Sequence, residues 1–377
     1  MRVQSRLSMF SHRKMRRSTT PIRIQSAEES APVRDHDVYS IGLFVPTLGV
    51  AGIWGPSAIA CATLAAEEIN RTDALLGRTL ALSVFDASDE CDGLVARARS
   101  AVCEARVDAI VGMHTSSVRK AIVEGSQGRV PYVYTALHEG RAQAQGLYAI
   151  GETPERQLRP AIDMFVRERS VRRWMFIGND YEWPRISHQL ARRYVGQAGG
   201  EVLCEHYLPF GSTNLDAVLQ AVEDARPDAL LLSLVGQDAV NFNRAFGQSG
   251  LDTKTLRLSC AVEENMLLAI GAANTRGLYV SSGYFGALVD EANVAFKERY
   301  QQRFGARAPT LNALGQSTYE GIHFAAALAA RSLLVPGPRR GAFGGVRGIN
   351  WQGNHAMQYP VHLAQADGHF FEVIRSF

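Results

Sequence analysis

The sequence predicts an α/β protein with two doubly wound parallel-sheet lobes, and three observations support this fold class. The chain has 377 residues, more than one hydrophobic core ordinarily organises. Short apolar segments alternate with amphipathic segments along most of the chain, as in parallel sheets covered by helices. The alternation runs twice and ends in a piece with a different pattern, typical of a short antiparallel hairpin.

The first run of elements begins at the apolar segment 39–46, which leads into a helix. Because the strands are short and separated by helices, we expect a parallel sheet with right-handed crossovers. The predicted strands are 39–46, 79–85, 109–111 and 132–134, and the predicted helices are 54–71, 92–105 and 117–127.

The second run has the same alternation and predicts a second doubly wound unit. Its helices are 154–170, 184–197, 213–225, 237–248 and 262–270, and its strands are 174–177, 201–207, 229–232, 256–259 and 277–281. Two long helices follow at 289–303 and 313–333, and then short strands at 344–349, 359–364 and 370–375. Asp367-Gly368 marks the turn of the final hairpin.

Charge is distributed unevenly along the chain. Residues 1–36 contain eight basic and three acidic residues, so the remainder carries −2 of the total charge of +3. The nearly neutral charge of residues 37–377 gives no indication that they bind nucleic acid, so no DNA partner is expected. The arm 1–36 is polar and Arg-rich, which predicts disorder. It has a basic start but no apolar core of a signal peptide. A misassigned start, a truncated export signal, and an arm contacting an acidic partner or RNA remain alternatives.

Composition and cysteine spacing predict a soluble protein with reduced thiols. The hydrophobic content is 46% and the charged content is 20%, normal for globular proteins. No apolar segment reaches the ~18 residues of a membrane span. Cys91 and Cys103 lie at opposite ends of one predicted helix, about 18 Å apart, which is too far for a disulfide. The odd number of cysteines, five, mildly favours the cytoplasm.

Motifs of catalysis and metal binding are absent from the sequence. It contains no GxSxG, HExxH, GxxxxGK[ST] or GxGxxG segment, and His138-Glu139 has no second histidine four residues on. We therefore predict a non-catalytic protein without cofactor or metal. An enzyme assembled from distant residues remains the weakest alternative.

Polar and aromatic residues follow several strands, where open α/β sheets bind ligands. Ser116 follows strand 109–111; it either caps the next helix or offers its hydroxyl to a ligand. Tyr134 either faces the cleft or packs under the loop that follows it. Tyr181 and Trp183 form either flat walls of a pocket or packed aromatics of an Asp-capped turn. Backbone groups near Val235 are a fourth candidate.

Together these segments resemble the type I periplasmic binding proteins, on the branch that binds amides and urea. This superfamily includes substrate-binding proteins of ABC transporters for branched-chain amino acids and urea. The resemblance covers about residues 38–375. Its most specific pieces are Val111-Gly112 through Ser116 to Arg119-Lys120-Ala121, Phe176-Ile177-Gly178-Asn179-Asp180-Tyr181 with Pro184-Arg185, Val235-Gly236, and Gly345-Val346 with Asn354-His355.

The resemblance implies two lobes joined by a hinge of three crossovers, with a ligand bound between them. Lobe 1 would contain 37–150 and 285–335, and lobe 2 would contain 151–284 and 336–377, with 1–36 as the arm. By position, Ser116 and Tyr134 match hydrogen-bonding residues of the amide pocket, Tyr181 its stacking aromatic, and Val235 a backbone contact.

Three positions depart from the amide-binding pattern. His114, Ala136 and Trp183 stand where amide sensors have Tyr, Thr and Tyr. The ligand is therefore expected to be larger or less polar than acetamide. Glu263 and Glu264 follow a strand end and would supply the acid that an amino-acid ammonium group needs, so an amino acid stays an alternative.

Two functions from different classes follow. The first is a cytoplasmic ligand sensor that regulates an amidase-type operon through a protein partner, an RNA-binding antitermination regulator in the resembled system. The alternative is a periplasmic substrate-binding protein that delivers urea, amides or branched-chain amino acids to an ABC permease. A homo-oligomer is a further expectation from the resemblance.

Overall fold

The computed structural model describes residues 22–24, 37–72, 75, 77–88, 92–104, 107–140, 144–334, 347 and 359–377. It has two α/β lobes, each built on its own sheet, as the sequence predicts. In this part of the chain, no helix combines the length and the hydropathy needed to cross a bilayer.

The sheet of lobe 1 has six described strands, all parallel, in the order β1-β3-β2-β4-β5-β6. Its central strands are buried on both faces, which explains their continuous apolar sequence. The strands are β1 (Ile22–Ile24), β2 (Val38–Val45), β3 (Thr79–Asp86), β4 (Ala109–Gly112), β5 (Tyr132–Tyr134) and β6 (Leu147–Ala149).

The sheet of lobe 2 has seven described strands in the order β13-β12-β11-β10-β9-β7-β8. Five are parallel, and the last two are antiparallel and joined by a turn at Gly368, whose φ is +62°. The strands are β7 (Arg173–Asn179), β8 (Glu201–Leu208), β9 (Ala229–Ser233), β10 (Leu256–Ser259), β11 (Leu278–Ser282), β12 (His362–Asp367) and β13 (Phe370–Ser376).

Helices cover the sheets, and α10 packs along α1 and over β4. The helices are α1 (Gly55–Arg71), α2 (Asp92–Cys103), α3 (Ser116–Ser126), α4 (Pro154–Glu168), α5 (Glu182–Ala198), α6 (Asp216–Ala225), α7 (Gly236–Gln248), α8 (Glu264–Ile270), α9 (Glu291–Phe304) and α10 (Ala313–Leu334).

The chain crosses between the lobes three times. The first crossover is 150–153, between β6 and α4, and the second is 283–290, between β11 and α9. The third runs from α10 to β12; Arg347 and residues 359–361 are its described part. These three connections form the hinge.

Two short strands differ from the sequence predictions. Ile22–Ile24 pairs with β3, so the prediction of a disordered arm is wrong at these three residues; the rest of 1–36 lies outside the described residues. Leu147–Ala149 was not predicted. Both strands have three residues, too few to show a period. Cys91 and all of the predicted strand 344–349 except Arg347 also lie outside the described part.

Candidate functional site

The carboxyl ends of the two sheets face each other and enclose a narrow cavity. Its volume is about 20 Å³. The loops after β2, β4 and β5 form one wall, and those after β7, β9 and β10 form the other, as expected for open α/β sheets. The lining residues are Trp54, His114, Thr115, Ser116, Tyr134, Ala136, Leu137, Tyr181, Trp183, Val235, Ala261, Glu263 and Leu314.

All eight site residues named from the sequence line this one cavity; their role in binding stays a prediction. Five further residues were not named: Trp54, Thr115, Leu137, Ala261 and Leu314. Trp54 and Ala261 follow the ends of β2 and β10, so the strand-end rule would have found them. Leu314 comes from the start of α10 and carries no local signal of a site.

Ser116 does not cap α3, so that alternative is wrong. It is the first residue of the helix, and the capping position belongs to Thr115, which makes no side-chain capping bond. The Ser116 side chain is 1% exposed. Its hydroxyl lies beside Tyr134 and Glu139 without a well-directed hydrogen bond to either. A buried hydroxyl without a well-directed partner at a cavity wall is available to a ligand.

Tyr134 and His114 belong to an internal hydrogen-bond network. The Tyr134 hydroxyl donates to the carbonyl oxygen of His114 at 2.7 Å. His114 Nδ1 donates to the carbonyl oxygen of Thr115 at 3.0 Å, so Nε2 accepts from the Tyr132 hydroxyl at 2.9 Å. Burial lowers the pKa of His114 to about 3, so the ring is neutral. The resemblance implies that the Tyr134 hydroxyl donates its proton to a ligand. In the structure this proton is already donated to the carbonyl oxygen of His114.

A buried ion pair lies behind Tyr134. Arg119 Nη2 donates to Glu139 Oε2 at 2.8 Å, and the guanidinium carbon is 5.0 Å from the centre of the Tyr134 ring. Burial alone would raise the pKa of Glu139, but Arg119 holds it below its ordinary value. Arg119 does not line the cavity; its charge lies behind the wall, next to the Tyr134 ring.

Aromatic rings form the lobe 2 wall. Tyr181 is the residue before α5, and Trp183 lies in its first turn; their ring centres are 6.5 Å apart and the planes differ by 30°. Asp180 pairs with Arg185 instead of capping the helix. The indole N–H of Trp183, like that of Trp54 on the opposite wall, is buried and has no hydrogen-bond partner among the described residues.

Val235 lines the cavity, and its backbone groups are hydrogen-bonded within the protein. Its N–H donates to Asn179 Oδ1 at 2.9 Å, and its carbonyl oxygen accepts from the backbone N–H of Asp238 at 3.2 Å. Asn179 Nδ2 in turn donates to Asp238 Oδ2 at 2.7 Å. The resemblance implies a contact between a ligand and the backbone of Val235. The backbone N–H of Val235 is, however, already donated to Asn179.

Glu263 joins the two lobes across the cleft. Its Oε2 accepts from the backbone N–H of Ala313 at 2.8 Å, at the beginning of α10. Burial, with smaller contributions from Glu264 and Glu152, raises the pKa of Glu263 well above its ordinary value. Burial thus favours the protonated form of this carboxyl, which has one proton to donate.

Further contacts hold the lobes together beside the cavity. The N–H of Gln237 donates to the carbonyl oxygen of Val50 at 2.8 Å, and Asn265 Nδ2 donates to that of Ile53 at 2.8 Å. Lys120 and Glu182 form an ion pair at 2.6 Å at the rim. Because the cavity is narrow and bridged, a ligand enters only after the lobes separate.

Two wider grooves lie outside the cleft along α4. Their volumes are about 350 and 420 Å³, and Arg159 is common to both. Charged side chains line them, in contrast to the largely aromatic and apolar lining of the cleft cavity, which is typical of small-molecule sites. Where the structure is described, no group of three or more His, Cys, Asp or Glu residues is arranged to hold a metal.

Solved structures share this architecture. A solute-binding protein of an ABC transporter from Rhodopseudomonas palustris BisB5, in complex with 3,4-dihydroxybenzoic acid, has a TM-score of 0.80 and 18% identity, covering 91% of this chain and 98% of that chain. A branched-chain amino acid transporter substrate-binding protein from Streptococcus pneumoniae, in complex with isoleucine, has a TM-score of 0.78 and 17% identity, covering 90% and 98%. A leucine-binding protein from Thermotoga maritima has a TM-score of 0.77 and 18% identity, covering 90% and 99%.

The family model described as periplasmic binding protein matches residues 38–343. This match and the transport relatives point to a periplasmic or extracellular location, so the predicted cytoplasmic location is wrong. The cysteine argument failed because thiols that no partner can reach stay reduced in any compartment; Cys61 and Cys260, for example, are buried and free. The family and these relatives are binding proteins, in agreement with a non-catalytic role. With well over half of its length matched, the chain belongs to the periplasmic binding protein family.

Proposed function

We propose that this protein is the substrate-binding component of an ABC importer and that it captures a small planar carboxylate between its lobes. The observation that carries the proposal is a set of three buried donors at one cavity: the Ser116 hydroxyl and the indole N–H groups of Trp54 and Trp183. A buried donor without a partner costs about 1–3 kcal/mol. Acceptor oxygens of a ligand would remove this cost.

The walls favour a flat ligand body. Tyr181 and Trp183 present two rings, inclined by 30° to each other, on one side, and Trp54 lies on the other. Apolar side chains, including Ala136 and Leu137, complete the enclosure. The first turn of α3 adds backbone N–H groups at the Ser116 end, which favour a negative charge there. An aromatic acid such as a benzoate fits this combination, and a benzoate-type ligand is bound in one structural relative.

A branched-chain amino acid is the second candidate ligand, and Glu263 is the observation that favours it. An ammonium group beside Glu263 would lower the pKa of this carboxyl, so that the carboxyl would release its proton to solvent and form a buried ion pair with the ammonium. Regulation of an amidase operon through an antitermination protein has less support, because the structural relatives named above are transport proteins. The amide- and urea-binding branch stays a prediction.

The test is a thermal-shift screen of the full chain with three ligand groups: benzoates, leucine with isoleucine, and acetamide with urea. Ligand at 100 times its Kd adds about 2.7 kcal/mol of stability, a shift of a few degrees. We expect the shift with benzoates. A shift confined to amino acids or to amides would overturn the proposed ligand class, and no shift with any group would overturn the proposal of a small-molecule binder of this kind.

Matched variants then locate the site by calorimetry. Trp183→Phe keeps a ring but removes the N–H, and Ser116→Ala removes the hydroxyl; each is expected to weaken benzoate binding about tenfold. Trp174→Phe is the control, since Trp174 is also buried with an unpaired N–H but lies in the interior of lobe 2 against Phe165. Equal affinities of all three variants would place the ligand elsewhere.

A further inference from the structure

The three connections between the lobes meet in one buried group of side chains, which we call the hinge cluster. Each crossover, or the strand or helix at its end, contributes to it. The members are at most 6% exposed. They are Glu152, Gln157, Ser281, Ser282, Glu320 and Arg347.

Arg347, on the third crossover, is the centre of the cluster. Its Nη1 donates to Glu152 Oε1 of the first crossover at 2.9 Å. Its Nε donates to Glu320 Oε2 of α10 at 2.8 Å, and its backbone N–H donates to Glu320 Oε1 at 2.9 Å. The planar guanidinium thus fixes two carboxylates from different segments in one geometry.

Glu152 extends the cluster to lobe 2 and to the end of β11. Its Oε2 accepts from Gln157 Nε2 at 2.6 Å and from the Ser282 hydroxyl at 3.5 Å. The Ser281 hydroxyl donates to the carbonyl oxygen of Gln157 at 2.7 Å. Rotation of the lobes about the hinge therefore moves Glu320, on the lobe 1 side, relative to Gln157 and Ser281.

We propose that Arg347 is a positioning residue for ligand capture: its paired contacts with Glu152 and Glu320 set the angle at which the lobes close. This inference rests on the proposed function in that capture requires closure. Closure itself is measured without ligand, so the two proposals fail in different experiments. Two buried carboxylates share one guanidinium in the cluster. The readout is therefore the dependence of lobe closure on pH when that guanidinium is removed.

The test is Arg347→Met in the full chain, compared with the wild type at pH 6 and pH 8. Without the guanidinium, Glu152 and Glu320 face each other, and the charged or titratable groups around Glu152 are Glu263, Cys260 and Tyr359. Burial raises the pKa of Glu152 even beside Arg347, so without the guanidinium we expect this carboxyl to hold a proton at pH 6 and the closed form to persist. At pH 8 an unpaired buried charge favours opening, which hydrates it.

The expected result is a larger radius of gyration by small-angle scattering for the ligand-free variant at pH 8 than at pH 6. The fluorescence of Trp54 and Trp183, which lie on opposite cleft walls, should also change between these two pH values. The wild type should change in neither. With a ligand from the screen, the Kd of the variant should rise about tenfold over this range relative to the wild type, since one linked proton changes it by at most tenfold per pH unit.

The neutral triple variant, Arg347→Met with Glu152→Gln and Glu320→Gln, is the matched control and should lose the pH dependence. Should Arg347→Met not fold, Arg347→Lys keeps the charge without the two-sided geometry, and it should be more open than the wild type at both pH values. Wild-type scattering in Arg347→Met and Arg347→Lys, or the same pH dependence in the triple variant, would overturn the inference.

Discussion

The ligand cavity and the hinge cluster both bury polar side chains, but they satisfy them in opposite ways. At the cavity, the indole N–H groups of Trp54 and Trp183 have no partner among the described residues, and the Ser116 hydroxyl has no well-directed one. At the hinge, Arg347 and Glu320 pair at 2.8 Å with less than 2% of either side chain exposed. The difference teaches that unpaired donors at a cavity are open to a ligand, whereas paired charges fix a geometry.

The largest expected effect comes from breaking the paired side of this comparison. Glu320→Ala leaves Arg347 buried with only Glu152 to balance it, and removing one partner of a buried pair costs about 3–5 kcal/mol. Urea unfolding followed by circular dichroism measures the change. Glu67→Ala is the control, because it breaks an ion pair with the half-exposed Arg303 and should cost at most about 1 kcal/mol. Equal losses in the two variants would contradict the structural role of the hinge pair.

The second effect acts on closure of the cavity. Gly236 has a φ of +52°, and a Cβ there would lie 2.0 Å from the carbonyl oxygen of Val50 on the other lobe. Gly236→Ala should therefore hold the lobes apart and weaken ligand binding about tenfold or more, measured by calorimetry.

Gly236→Ala combines two effects, a backbone penalty from the positive φ and a contact with Val50, and Gly211→Ala separates them. Gly211 also has a positive φ, +72°, but a Cβ there would meet nothing within 4 Å. It should show the backbone penalty of about 1 kcal/mol without the loss of affinity. If Gly211→Ala weakened binding as much as Gly236→Ala, the contact with Val50 would not limit closure.

A partly exposed cluster in lobe 1 provides an intermediate case. Burial alone would raise the pKa of Glu68, but the nearby His323, 3.6 Å away, and hydrogen bonds with Tyr319 and Arg299 lower it from 4.5 to about 2. Since the folded-state pKa is the lower one, this contribution to stability is complete above about pH 4.5 and is lost as the pH falls towards 2. With discount for solvent screening, about 1–2 kcal/mol is expected.

Urea midpoints between pH 6 and pH 3 test this expectation. Glu68→Gln should be less stable than the wild type at pH 6 and should lose less of its stability on acidification. Glu298→Gln, an exposed substitution on the neighbouring helix α9, serves as the control and should follow the wild type. A Glu68→Gln curve parallel to that of the wild type would show that other carboxylates govern the acid response.

The strand-end rule explains why much of the cavity could be predicted from the sequence. Ser116, Tyr181 and Val235 each follow a buried parallel strand, and the carboxyl ends of such strands meet at one edge. Leu314 could not be predicted, because a helix from a distant part of the chain brings it there. The hinge pair of Arg347 and Glu152 joins residues 195 positions apart, and such a contact leaves no periodic signal.

Details of hydrogen bonding were beyond the sequence for a different reason. Tyr134 lies at the cavity wall, but whether its proton faces a ligand depends on a 2.7 Å contact with the carbonyl oxygen of His114. The same holds for Val235, whose nitrogen is taken by Asn179. A residue type and its position in a strand fix where a side chain goes, while the partner of each polar atom depends on the packing of several segments.

The smallest effect is the sharpest form of the comparison, because one substitution is made at two buried serines. Ser116 is 1% exposed and its hydroxyl has no well-directed partner, whereas Ser281 is 0% exposed and donates to the carbonyl oxygen of Gln157 at 2.7 Å. In ligand-free protein, Ser281→Ala should lower the unfolding free energy by about 1 kcal/mol, and Ser116→Ala should leave it unchanged or raise it by up to about 1 kcal/mol. Unfolding in urea measures both. Opposite signs would mean that the cavity holds its donors at the expense of stability, and equal losses would mean that the Ser116 hydroxyl finds a partner within the protein.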